Sequence, residues 1–174
     1  MIILETERLI LRHFFPSDLA ELFALYGDPE IRRYFPDGTL TFEETREELE
    51  WYLNGHPDHP ELGLWATIHK QIGRFIGRCG LLPWTIEQRD EVEIAYLLNK
   101  SFWRQGLGTE VACGLLGYGF VELRLPRLIC MMFKQNEASR RVALSVGMRF
   151  EKEIVADFGP AMLYALSKQA WDGG

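Results

Sequence analysis

The chain has 174 residues, 47% apolar and 25% charged, which is the size and composition of one globular domain. Its 19 basic and 25 acidic side chains give a net charge of −6, which excludes general affinity for nucleic acid. No apolar run approaches the roughly 18 residues of a membrane span. Residues 1–7 turn acidic too early for a signal peptide. We therefore expect a single domain over residues 1–174, without a nucleic-acid or membrane partner.

The cysteines and histidines bound the compartment and the metal content. Cys79, Cys113 and Cys130 are odd in number and contain no CxxC pair, which predicts reduced, buried thiols in a cytoplasmic protein. His56 and His59 share a proline-broken loop that cannot place both rings on one helical face. No metal site is therefore predicted.

The predicted elements alternate along the chain. After a strand at 7–14, Pro16 opens a helix to about Tyr26, and a helical turn follows near residues 29–34. Thr41 and Glu44 form a capping box that begins a helix to about residue 53. The later elements are strands at 64–69, 74–82, 91–98, 128–133, 150–156 and 161–167, and helices at 109–121 and 137–146. This order predicts a mixed α/β domain with six or seven strands.

The charge is unevenly distributed. Residues 1–60 carry 13 acidic and 5 basic side chains, a net −8, whereas residues 101–150 carry 7 basic and 3 acidic ones, a net +4. One interpretation is a solvated acidic helix surface. The other is two binding regions, an acidic one for a cation and a basic one for an anion.

The segment 97–110 has the pattern of an anion-binding loop. A buried strand ends there, a tight loop with Gly106 and Gly108 follows, and a helix begins. Backbone N–H groups and the positive end of the helix dipole then point at one spot, which suits a phosphate. A plain strand-to-helix turn is the alternative. The segment is neither a P-loop nor a dinucleotide fingerprint, because it lacks the Gly-Lys-Ser/Thr and the third glycine.

A second motif lies in the helix at 137–146. Asn136 follows a strand and can cap the helix, Ser139 lies one turn further on, and Gly147 fits the left-handed position that ends a helix. Without a ligand, Asn136 is only a cap and Ser139 only a solvated helix residue.

Together the two segments resemble the GCN5-related N-acetyltransferase (GNAT) superfamily. Residues 103–108 stand in its acyl-CoA loop, and Asn136 to Gly147 match its Asn-x-x-Ser…Gly motif. Residues 5–12 and Phe102-Trp103 look like the RimJ/RimL branch, which acetylates protein N-terminal amines. The resemblance implies a GNAT-like α/β fold with a mostly antiparallel sheet, flanking helices and a splayed central strand pair. It further implies acetyl-CoA as co-substrate, an amine acceptor and, as in many members, a homodimer.

The resemblance also implies roles for individual residues. Backbone amides of the loop would bind the CoA pyrophosphate, through Arg104, Gln105, Gly106, Leu107, Gly108 and Thr109. Arg104 and Arg141 would add positive charge for this polyanion. The strand end Tyr96, Leu97 and Leu98 would bind the pantetheine arm like an added strand. Asn136 would contact that arm, and Ser139 would lie near the thiol.

The acid–base residues are less determined. Many members place a tyrosine where this chain has Ala143, so Ser139 is the best-placed acid for the leaving thiolate. A base must deprotonate the amine, and Glu93 is our first choice, with Glu91 or a water chain as alternatives. Structural pairing of Glu93 with an arginine such as Arg78 is the non-catalytic interpretation. Weaker base candidates are Asp157 and Tyr164.

The acceptor is the open question. Aromatic residues that could line an acceptor cleft, or simply belong to the core, are Tyr34, Phe35, Trp51, Trp65 and Trp84. The predicted function is N-acetylation of a primary amine, on a protein N-terminus or a small molecule, by direct transfer in a ternary complex. The acidic first third suggests that the amine is cationic. The rival is a non-catalytic acyl-CoA-binding or regulatory domain, which Ala143 favours.

Overall fold

A computed structural model describes residues 1–171 as one eight-stranded sheet with helices on both faces. The strands are β1 (Ile2–Glu5), β2 (Leu9–Arg12), β3 (Gly63–His69), β4 (Arg74–Ile86), β5 (Arg89–Leu98), β6 (Arg127–Met132), β7 (Arg149–Ala156) and β8 (Gly159–Ser167). The helices are α1 (Leu19–Tyr26), α2 (Phe42–Asn54), α3 (Leu107–Gly117) and α4 (Glu137–Ser145). A π-helical turn, Tyr118–Glu122, extends α3.

The strand order is β1-β2-β3-β4-β5-β6-β8-β7, and every neighbouring pair is antiparallel except β5 and β6. The predicted fold class is confirmed, with one strand more than the six or seven expected. The additional strand is β1, which pairs with β2 through Ile10, Leu11 and Arg12. Its four residues are too short for an alternating pattern to be visible in the sequence. The helical turn predicted near residues 29–34 is a series of turns.

The helix boundaries follow from local chemistry. The Thr41–Glu44 capping box is present at the start of α2. Gly106, with φ +77°, turns the chain into α3. Asn136 caps α4, since its Oδ1 accepts from the Ser139 backbone N–H at 3.2 Å. Gly106 and Asn136 thus set the starts of α3 and α4, the helices that follow β5 and β6 in the chain.

The two faces of the sheet are buried by different helices. One core joins the sheet to α1 and α2 through Leu22, Tyr26, Leu49, Tyr52 and Leu97. The other core joins it to α3 and α4 through Leu98, Leu107, Val111, Leu115 and Ala143. Because successive side chains of a strand point to opposite faces, Glu93 and Leu97 of β5 face α1 and α2, while Tyr96 faces α3 and α4.

The cysteines are all free, and Cys79 and Cys130 are buried as expected. The expectation was wrong for Cys113, which is exposed because it lies on the outer side of α3. Across residues 1–171, no three His, Cys, Asp or Glu side chains are grouped so as to hold a metal ion. None of the described helices has both the length and the apolar character that a membrane span requires.

Candidate active site

The neighbouring strands β5 and β6 diverge at the centre of the sheet. They pair only at Glu93 and Ile129, whereas β5 stays paired with β4 as far as Leu98. One residue further on, a contact of 3.5 Å from Cys130 Sγ to the Ile94 carbonyl oxygen joins the two strands. Beyond it the two parallel strands leave a V-shaped gap, which is the splayed pair that the sequence predicts.

The backbone of β5 that faces the gap is mainly that of Tyr96. Alternate residues of a paired strand direct their backbone groups to opposite sides. The Leu97 carbonyl faces β4, where a Cβ added at Gly77 would lie 2.1 Å from it. The Leu98 carbonyl accepts a hydrogen bond from Trp103 Nε1 at 2.8 Å. Of the three strand residues expected to hold a pantetheine arm, Tyr96 is therefore the one whose backbone groups point toward the gap.

The loop before α3 presents a row of unpaired amides. The first helical hydrogen bond runs from the Glu110 N–H to the Gly106 carbonyl. Within the described residues, the amides of Leu107, Gly108 and Thr109 have no hydrogen-bond acceptor, as is general at helix N-termini. Arg104 precedes them with a left-handed backbone (φ +60°), a conformation that favours glycine. These amides and the helix dipole together suit an anion.

Two residues far away in sequence brace this loop. Glu110, in the first turn of α3, accepts from the Arg8 backbone N–H at 2.7 Å and from Arg8 Nε at 2.6 Å. Arg8 Nη1 also donates to the Gln105 carbonyl at 2.9 Å. Burial opposes ionisation of Glu110, but the hydrogen bonds from Thr6 and Arg8 keep the pKa of its carboxyl below the ordinary value. The β1–β2 hairpin is thereby fastened to the loop.

The first turn of α4 lies beside Tyr96. Burial raises the pKa of the Tyr96 hydroxyl, and the Ser139 side chain opposes this as a hydrogen-bond partner. The Tyr96 ring also lies 3.9 Å from the position of a Cβ at Gly108. Ala143, one turn after Ser139, is only 1% exposed, so a tyrosine at this position would have to displace its neighbours.

Exposed basic side chains flank the loop and α4. Arg140 is paired with Glu137 at 2.8 Å. Arg104, Lys134 and Arg141 are exposed and form no ion pair with any side chain in residues 1–171. The predicted positive region therefore has three cations available to a polyanionic ligand.

Glu93 lies at the vertex of the gap and is partly buried. Its Oε2 accepts from Trp84 Nε1 at 2.7 Å, and its Oε1 accepts from the Met131 backbone N–H on β6 at 3.3 Å. Burial raises the pKa of Glu93 to about 7, although Trp84, Met131 and the charge of Arg78 lower it. A carboxyl with this pKa exchanges protons readily near neutrality, as a general base must.

Glu91 has a different environment, although it lies on the same face two residues earlier. It is buried, and its carboxylate is paired with Arg127 at 3.1 Å and with Arg89 at 3.3 Å. This carboxylate is therefore occupied in an ion-pair network. Glu93 makes no ion pair with Arg78, whose Nε instead donates to Tyr26.

Residues 28–38, which we call the covering segment, contact residues that follow β5 and β6. Lys100, beyond β5, pairs with Asp28 at 2.7 Å, and Arg32 pairs with Asp37 at 2.6 Å. Tyr34 then donates to the Gln135 carbonyl at 2.9 Å, in the loop between β6 and α4. The segment thus bridges from the end of β5 to the start of α4.

The remaining sequence candidates lie in several places. Phe35 belongs to the covering segment and packs against the core of α1 and α2, while Trp51 is exposed on α2. Trp65 packs on the opposite face against Tyr118, and Tyr164 is buried on the α4 side. Asp157 lies in the β7–β8 turn. Sequence analysis treated Trp84 only as aromatic surface and missed its contact with Glu93, which depends on the register of β4 and β5.

Comparison with known proteins settles the family. Residues 8–149 match the acetyltransferase (GNAT) domain family. The chain belongs to this family. It is 34% identical to YkkB of Bacillus subtilis (strain 168), over 87% of each chain. It is 30% identical to the N-acetyltransferase YoaA of the same organism, over 87% of this chain and 84% of that protein. The chain is accordingly an acetyltransferase, and the superfamily resemblance is confirmed.

Solved structures show the same fold. RimL, a ribosomal L7/L12 α-N-protein acetyltransferase in complex with coenzyme A, superposes with a TM-score of 0.77 at 19% identity, over 98% of this chain and 99% of that one. The aminoglycoside acetyltransferase AAC(6′)-Ib in complex with coenzyme A gives 0.77 at 20% identity, over 93% and 96%. Both neighbours bind coenzyme A, and their acceptors differ. Membership of the RimJ/RimL branch stays a prediction.

Proposed function

We propose that the chain transfers the acetyl group of acetyl-CoA to a primary amine by direct attack in a ternary complex. The observation that carries the proposal is Glu93, a carboxyl with a pKa of about 7 at the vertex of the gap. The amine nitrogen attacks the thioester carbonyl carbon, a C–N bond forms, and the C–S bond breaks. The proton leaves the nitrogen for Glu93, directly or through water, and the thiolate leaves as part of CoA.

The proposed cofactor site follows the two helix starts. The pyrophosphate binds the amides between Arg104 and Thr109, with charge from the Arg104 and Arg141 side chains. The pantetheine arm pairs with the Tyr96 backbone and meets the Asn136 side chain. Ser139 lies nearest the thiol and stabilises the leaving thiolate, with the Tyr96 hydroxyl behind it. No metal takes part in this proposal.

The proposed acceptor is a small molecule rather than a protein N-terminus. The covering segment is tied to the loop before α4 by Tyr34, and we expect it to hinder the entry of a peptide more than that of a small molecule. Residues 1–60, which include α1, α2 and the covering segment, carry a net charge of −8, which favours the arrival of a protonated amine. The homodimer and the cytoplasmic location remain predictions.

A panel of amines and N-terminal peptides tests the proposal. CoA release is measured for each with acetyl-CoA, and acetyl-CoA binding is measured by calorimetry. Release with small amines and none with peptides is expected. The proposal would be contradicted if no amine caused CoA release and acetyl-CoA did not bind.

The rival function, non-catalytic acyl-CoA binding, is favoured by Ala143 alone, since the usual acid is missing there. It predicts calorimetric binding of acetyl-CoA without CoA release for any amine. Glu93→Gln would then leave every measured property of the complex unchanged.

A further inference from the structure

Arg78 carries a buried charge for which the described part of the chain provides no carboxylate. It lies on β4 and is only 7% exposed. No Asp or Glu oxygen in residues 1–171 lies within 4.0 Å of its nitrogens. Its Nε donates to the Tyr26 hydroxyl at 2.9 Å, and its two terminal nitrogens make no hydrogen bond there. A guanidinium stays ionised in proteins, and burying one without a partner is costly.

The surrounding residues hold Arg78 in place without neutralising it. Its guanidinium faces the rings of Tyr26 and Phe35, at 5.8 Å and 5.6 Å from their centroids. Tyr26 shares a hydrogen bond of 2.6 Å with Tyr52, which donates to Glu48 at 2.7 Å. In this series of hydrogen bonds, two hydroxyl groups separate Arg78 from the carboxylate of Glu48.

A second arginine in the same cluster shows the contrast. Arg32 lies over the same two rings, at 5.0 Å from Tyr26 and 4.3 Å from Phe35. It has a partner of its own, because Asp37 lies 2.6 Å from its Nη2. Arg78 is therefore the member of this pair whose planar fork of donors is left for an incoming acid.

Arg78 and Glu93 lie on the same face of the sheet. This is the α1–α2 face, and Arg78 opposes Leu97 in the register while Glu93 opposes Leu82. The two positions are separated by ~13 Å of strand, a length that their long side chains shorten. The charge of Arg78 reaches Glu93, since it lowers the pKa of that carboxyl. A small molecule with its amine at Glu93 can therefore place a second group at Arg78.

We propose that Arg78 binds a carboxylate of the acceptor, so that the substrate is a small amine that also carries a carboxylate, such as an amino acid. The proposal rests on the proposed acetyltransfer and adds the substrate class. The amine is attracted by the acidic surroundings, and the carboxylate by the buried guanidinium of Arg78, which has no carboxylate partner in residues 1–171. Binding the acid supplies the hydrogen bonds that the terminal nitrogens of Arg78 lack.

Matched pairs of acceptors test this. The kcat/KM of each amino acid is compared with that of its amide, using glycine, β-alanine and 4-aminobutyrate as probes. For the amino acids that fit best, the kcat/KM of the wild-type chain should exceed that for the amide by about 100-fold. This ratio corresponds to the loss of one partner of a buried charge pair. Arg78→Met should remove most of this preference, and Arg78→Lys should restore part of it. Arg32→Met, beside the same rings, should leave the acid-to-amide ratio unchanged.

A merely structural role of Arg78 would lower the values for acids and amides equally, and that result overturns the proposal. Equal use of acids and amides by the wild-type chain overturns it without any variant. Should no amine be acetylated, the proposed function fails, and calorimetry of the CoA complex with the same probes decides the carboxylate site separately. The carboxylate site is supported if the acids bind more weakly to Arg78→Met or Arg78→Lys than to the wild-type chain. It is excluded if acids and amides bind equally well.

Discussion

The indole Nε1 of Trp84 donates a hydrogen bond to Glu93 Oε2 over 2.7 Å, across the neighbouring strands β4 and β5. The contact fixes the carboxylate at the point where β5 leaves β6. It also favours the ionised form, whereas burial favours the neutral one, and the balance gives a pKa of about 7. Near neutral pH such a carboxyl is present in both protonation states. Its ionised form can accept a proton from an amine, and its protonated form can release that proton to water.

Glu93→Gln should reduce kcat about 100-fold while leaving acetyl-CoA affinity unchanged, because the amide cannot accept the proton. Steady-state kinetics and calorimetry measure the two effects. Glu91→Gln is the matched control, two residues earlier on the same face, and it should lower stability rather than kcat because Glu91 is paired with Arg127. Equal kcat losses in both variants would remove Glu93 from the mechanism.

The stability of the wild-type chain should fall as the pH rises through the neutral range. The folded pKa of Glu93, about 7, lies above its ordinary value of 4.5, so the folded state holds this proton more tightly. Its contribution is fully present below about pH 4.5 and is lost by about pH 7. The melting temperature of Glu93→Gln relative to wild type should therefore increase between about pH 5 and about pH 8. A difference that stays constant with pH would contradict the raised pKa.

Trp84→Phe should move the pH dependence of kcat/KM upward by roughly one unit, because a hydrogen bond that lowers the pKa of Glu93 is lost. Wild-type activity should rise with pH through about 7, as the base ionises. At alkaline pH the variant should recover most of the wild-type rate. A lower plateau with an unmoved midpoint would show that Trp84 acts only through packing.

Arg104→Gly should weaken acetyl-CoA binding several-fold at low salt and less at high salt, because it removes an exposed cation beside the loop. The change in the free energy of unfolding should stay below about 1 kcal/mol, since relief of the left-handed backbone offsets the added freedom of glycine. Arg124→Gly is the control, an exposed arginine with a similar backbone (φ +56°) outside the loop. Calorimetry at two salt concentrations should show a salt-dependent loss of acetyl-CoA affinity for Arg104→Gly and none for Arg124→Gly. Equal losses of affinity in both variants would contradict an electrostatic role of Arg104.

Those parts of the site that depend on local sequence were predictable. Gly106 and Asn136 determine their helix starts through a positive φ and a side-chain cap, and each acts within four residues. The divergence after Glu93 was predicted from resemblance to a family and is present in the structure. Strand β1 was missed because its pairing with β2, rather than its composition, makes it a strand.

The contacts that give the site its chemistry could not be predicted. The Trp84–Glu93 bond requires the β4–β5 register, and the Arg78–Tyr26–Tyr52 chain joins β4 to both α1 and α2. Such pairs are brought together by packing, and no spacing in the sequence indicates them. That Arg78 lacks a carboxylate partner in residues 1–171 can be recognised only from the positions of the side chains around it.

The bond between Arg8 and Glu110 links residues 102 positions apart in the chain. Because Glu110 belongs to the helix whose first amides are unpaired within residues 1–171, we expect ligand binding at these amides to stabilise the β1–β2 hairpin as well. Amide hydrogens of the hairpin should therefore exchange more slowly with deuterium when acetyl-CoA is present. An affinity tag that disturbs the first eight residues should for the same reason lower the affinity for acetyl-CoA, although the tag does not contact it.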